Sequence, residues 1–71
     1  MSRDEAIDNL SEDLKLDRER VVNDFDFLDS LRLSGVTNMF GAVPYLKEYD
    51  ESLGTRQATS IFRGWMNSFG R

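Results

Sequence analysis

The chain has 71 residues, 39% apolar and 31% charged, with 9 Lys and Arg against 13 Asp and Glu and a formal net charge of −4. That length allows one small domain, which hides about 60% of the unfolded surface and leaves roughly 4,500 Å² exposed. With no His and no Cys, the chain lacks the common neutral-pH proton shuttle, thiol nucleophiles, disulfides and the standard zinc and iron–sulfur ligand sets, so no enzyme activity, cofactor or metal is expected.

The charge is uneven. Residues 1–31 carry 10 acidic and 4 basic side chains, and residues 32–71 carry 3 and 5, which makes the halves −6 and +2. This asymmetry can steer a basic partner to the N-terminal half, although scattered acids are more often just a solvated helix surface. No apolar run approaches the 18 residues of a membrane span, and Met1-Ser2-Arg3-Asp4-Glu5 opens into polar sequence without an apolar leader region; a cytoplasmic protein without membrane partners is expected.

Ser2 and Glu5 have capping-box spacing, and Ala6, Ile7, Leu10 and Leu14 recur at helical intervals, predicting a first helix over about residues 3 to 15. Its apolar stripe is thin and rimmed by Asp4, Asp8, Glu12 and Asp13, so it is expected at the edge of the domain. Asp17 is the candidate N-cap of a second helix, from Arg18 to Leu33, and Gly35 its stop. The apolar residues Val21, Val22, Phe25, Phe27, Leu28, Leu31 and Leu33 spread over about 240° of that helix, far wider than one face. The helix therefore breaks near Asn23-Asp24, or lies centrally, or meets another chain.

Thr37 or Asn38 can cap a third helix carrying Met39, Phe40, Val43, Leu46 and Tyr49, with Pro44 inside the pattern. Proline lacks the amide hydrogen and clashes with the preceding turn, which predicts a kink or a split into a turn at 37 to 42 and a helix from about 44 to 50. Thr55 is the next candidate cap. The last helix, residues 56 to 69, has the clearest pattern: Ala58, Ile61, Phe62, Trp65, Met66 and Phe69 fall at i, i+3, i+4, i+7, i+8 and i+11. No alternating segment is long enough for a strand.

The run Ser34-Gly35-Val36-Thr37-Asn38-Met39-Phe40-Gly41-Ala42, then Pro44-Tyr45-Leu46 and Trp65-Met66-Asn67-Ser68-Phe69, resembles short uncharacterised proteins encoded by bacteriophages and prophages, in which a helix of the Phe27-Leu28-Asp29-Ser30-Leu31-Arg32 type precedes the same block. The resemblance spans about residues 25 to 69. It implies a phage-related origin and assigns no catalytic residues.

Asp24, Asp26 and Asp29 suggest a calcium loop, but a loop opening at Asp24 would place Leu28 at a ligand position, Asp29 at the required glycine and Gly35 at the closing glutamate. Acidic helix surface is the simpler reading. Residues 46 to 66 can be read as helix, turn, helix, with Arg56, Gln57 and Arg63 on the exposed face of the second helix, the shape of a DNA-reading motif, and Arg71 as a phosphate contact. A sequence pI near 4.6 disfavours nucleic acid.

The sequence thus predicts one all-α domain over 1–71, a small bundle of three to four short helices, with residues 25–69 as core and 1–16 peripheral. The expected function is a small acidic, non-enzymatic protein-binding module, plausible as a phage accessory or host-modifying factor. Asp4, Asp8, Glu12, Phe25, Phe27, Tyr45 and Tyr49 are the candidate contacts with a host or phage protein. The alternatives are a homo-oligomeric assembly protein and the helix-turn-helix reading.

Overall fold

The computed structural model describes residues 2–35 and 41–69, except the side chain of Phe69. The expectations on Thr37, Asn38, Met39, Phe40 and Arg71, and on the side chain of Phe69, lie outside the described residues.

Four helices and no strand occur among the described residues: α1 (Arg3–Leu14), α2 (Arg18–Ser34), α3 (Ala42–Tyr49) and α4 (Thr55–Phe69). The capping box at the start of α1 is formed: the Glu5 amide donates to Ser2 Oγ at 3.2 Å and the Ser2 amide to Glu5 Oε1 at 3.1 Å. The helix stops at Lys15, which takes the left-handed conformation (φ 56°). The Leu16 amide then reaches back to the Ser11 carbonyl at 3.1 Å, and Ser11 Oγ donates to the Leu16 carbonyl at 2.6 Å, so the turn into α2 satisfies groups that a helix end leaves open. Asp17 stands at the N-cap of α2 but makes no side-chain cap bond. Gly35 closes α2 with φ 69°, where glycine carries no penalty.

Two boundaries differ from the sequence reading. α3 starts at Ala42, so Pro44 is its third residue, a position whose amide has no partner in a helix and where proline costs no hydrogen bond; the kink expected upstream lies mostly outside the described residues. Thr55 is not the cap of α4. Gly54 takes that place, with its amide donating to Gln57 Oε1 at 2.9 Å and its carbonyl accepting from the Ala58 amide at 2.9 Å, while Thr55 Oγ1 accepts from Lys47 Nζ at 2.6 Å.

α2 runs without a break at Asn23. It packs against α1, α3 and α4, and α4 packs against α1, α2 and α3, so α2 and α4 form a central pair flanked by α1 and α3. This central position explains most of the wide apolar arc: Val21, Phe25, Leu28 and Leu31 are buried, Val22 and Phe27 are partly buried, and Leu33 alone of the seven is left 85% exposed. The core adds Ala42, Leu46, Leu53, Ala58, Ile61 and Trp65.

α1 does lie on a flank of the central pair, yet it contributes to the core. Ala6, Ile7 and Leu10 are 2%, 3% and 9% exposed and belong to the main cluster. A thin stripe suffices because α4 presents Gly64 to it: a Cβ there would lie 2.7 Å from Leu10 Cδ1. The glycine lets the two helices approach closely enough for short side chains to close the gap. The radius of gyration, 11.0 Å, matches the roughly 11 Å of a compact chain of this length.

Candidate functional site

The predicted contact residues separate into three groups. Asp4 and Asp8 on α1 both face Arg18, at 3.6 Å and 2.6 Å, and Glu12 is exposed further along the helix. Phe25 is wholly buried, because its position on α2 turns into the bundle, and the Arg3 guanidinium lies 5.3 Å from its ring centroid. It is a core residue, and its assignment as a partner contact is withdrawn.

Phe27, Tyr45 and Tyr49 do come together. The Phe27 and Tyr49 rings stack across the α2–α3 seam with centroids 4.4 Å apart and planes 11° from parallel. Tyr45 is one turn before Tyr49 on the same helix face. Tyr45 and Tyr49 are 41% and 52% exposed, so the stack shows one ring largely to water. Glu48 lies beside them and is also exposed. The acidic α1 group and the aromatic group fall on different flanks of the central pair.

The same two elements, α2 and the end of α3, also carry a polar cluster that the sequence reading missed. Asp24 is 1% exposed, the single buried charged residue of the described chain, and its Oδ2 has no hydrogen-bond partner. It faces Asp50, the residue that ends α3. Asp50 is already engaged: Arg20 Nη2 and Nε donate to it at 2.9 Å and 3.2 Å, and Ser52 Oγ at 2.7 Å. Burial, then the Asp50 charge and a hydrogen bond to Asp50, push the Asp24 carboxyl up to about 7 against the pull of Arg20. Burial acts on Asp50 in the same upward direction, but Ser52 and Arg20 outweigh it and hold that carboxyl below its ordinary range. A signal was available: Val21, Asp24, Leu28 and Leu31 sit at i, i+3, i+7 and i+10, which places the aspartate in line with core residues.

The three aspartates once compared with a calcium loop are apportioned differently. Asp24 turns inward, whereas Asp26 and Asp29 accept from Arg3, at 3.3 Å and 2.8 Å. No group of three or more His, Cys, Asp or Glu able to hold a metal occurs among the described residues, and none of their helices is long and apolar enough to cross a membrane.

For the nucleic-acid alternative, Arg56 and Arg63 are exposed on α4, but the Gln57 amide oxygen is occupied in capping that helix. No protein-family model, curated protein or solved structure matches the chain.

Proposed function

We propose that this chain is a small acidic protein-binding module without catalysis of its own, and that it docks a partner protein on the face made by Phe27, Tyr45 and Tyr49. The observation that carries the reading is the exposure of two tyrosines beside a stacked phenylalanine on one flank. Tyrosine supplies large, rigid contact area at small entropic cost, and such residues dominate interface energetics. The phage-like block implies an accessory factor acting on a host protein as the setting.

The acidic α1 face supports the reading less. Asp4 and Asp8 share Arg18 within the chain, which reduces what they offer a basic partner.

The test is capture from nuclease-treated bacterial lysate with the wild type and with the double variant Tyr45→Ser, Tyr49→Ser, followed by affinity measurement on the purified captured protein. Loss of at least tenfold in affinity, with the variant's helical content unchanged, is the expected result. Equal affinity of the two forms, or recovery of nothing but the bait, defeats the reading.

A further inference from the structure

Asp24 and Asp50 sit where the end of α3 closes against α2. Asp24 is one turn before Phe27 on α2, and Asp50 follows Tyr49 directly, so the backbone that carries each carboxyl also carries one of the two stacked rings. Both donor nitrogens that Arg20 offers to this site are spent on Asp50, and so is the Ser52 hydroxyl. Arg20 on α2 and Asp50 at the end of α3 are the charged groups that act on Asp24. An ionised Asp24 would be a buried carboxylate with an unpartnered oxygen next to a second carboxylate, and one guanidinium cannot neutralise both. A proton resolves this, because the protonated carboxyl becomes a donor to Asp50.

We propose that the Asp24–Asp50 pair is a protonation switch for the aromatic face: while the two carboxyls share a proton the end of α3 is closed against α2, and when the proton leaves, the seam that Phe27 and Tyr49 span loosens. The link to binding rests on the reading of that face as a docking surface; the switch itself does not.

The direction in solution follows from proton linkage. The Asp24 carboxyl is raised in the folded chain, so between the ordinary carboxylate range and about pH 7 the folded state holds a proton that the unfolded state has released. Stability from this group is full at acidic pH, declines as pH rises through that window, and is flat above it. Within the window the folding equilibrium constant falls by up to about tenfold per pH unit. Asp50, lowered in the fold, acts oppositely and loses its contribution only when pH falls below the ordinary carboxylate range.

The experiment is a carboxyl-carbon NMR titration of the wild-type chain, with the Tyr49 ring signals followed in the same samples. Asp24 is expected to titrate near neutrality, Asp50 well below it, and the Tyr49 signals to move with the Asp24 midpoint. In Asp24→Asn, which keeps a donor and the shape, the Tyr49 signals stay constant from pH 5 to 8 and the decline in stability over that range is abolished. An Asp24 midpoint in the ordinary carboxylate range, or Tyr49 signals indifferent to it, overturns the proposal. Should the variant not fold, the wild-type titration still decides. No partner is needed for these readouts, so failure of the docking reading leaves the switch standing, and the reverse.

Discussion

Trp65 is the largest side chain fully removed from water, and its indole N–H must find an acceptor there. Asp29 supplies it, with Oδ1 2.9 Å from Nε1, while its other oxygen takes Arg3 Nη2 at 2.8 Å. One carboxylate thus ties α1, α2 and α4 together at a half-exposed rim. Removing it in Asp29→Ala takes the acceptor from a buried donor and the partner from Arg3, and is expected to cost about 2–3 kcal/mol by urea denaturation. Asp29→Asn keeps an acceptor for the indole but turns its NH2 toward Arg3, losing the charge and the Arg3 Nη2 bond; at this exposure a cost of about 1 kcal/mol is expected. Equal costs for the two substitutions would show that the indole bond contributes little. Nothing in the linear sequence separates Asp29 from Asp26, since both flank Phe27 and Leu28 with the same polarity; only the distance to Trp65, 36 positions away, distinguishes them.

Elements became legible in proportion to how much of their burial is decided by their own residues. α4 repeats Ala58, Ile61 and Trp65 along one line, and all three are fully buried. The fate of α1 could not be read from α1, because its thin stripe is a weak core face against an ordinary helix and an adequate one against a helix that offers Gly64. Likewise the arc of α2 shows only that more than one neighbour is needed, and the identity of those neighbours is tertiary information. The aspartate in the core line of α2 is visible in the sequence, but Asp26 and Asp29 beside it give it the look of an acidic surface and mask its register with Val21 and Leu28. The contact at Gly64 carries its own prediction. Gly64→Ala places a methyl against the movable end of Leu10, and the gain in helix propensity of about 1 kcal/mol offsets much of that clash. Gly64→Val adds branched bulk that Leu10 cannot clear, so overpacking of about 1–3 kcal/mol should appear in thermal unfolding. A valine variant as stable as the wild type would mean that α1 and α4 are held less closely than their geometry indicates.

For the molecule as a whole, the question is whether α1 belongs to the folding unit or decorates it. A domain of this length has a stability of roughly 4–10 kcal/mol at about 0.05–0.15 kcal/mol per residue. Ile7 and Leu10 are buried side chains of the kind worth about 1.5–3 kcal/mol each, and the Arg3 bonds to Asp29 leave with the same segment. Deleting residues 1–16 therefore removes a share comparable to the total, while uncovering the cluster around Phe25 and Trp65. The exposed ion pairs of Arg18 with Asp4 and Asp8 add little to this balance, since such surface pairs are worth about 0–1 kcal/mol. The truncated chain is expected to lose its cooperative thermal transition and the near-ultraviolet circular dichroism of its tryptophan. Retention of both would return α1 to a peripheral role and make its acidic face available as a separable binding arm. Their loss would mean that mutations on α1 cannot be used to test binding unless folding is measured beside it, which is why the docking test is placed on the exposed tyrosines.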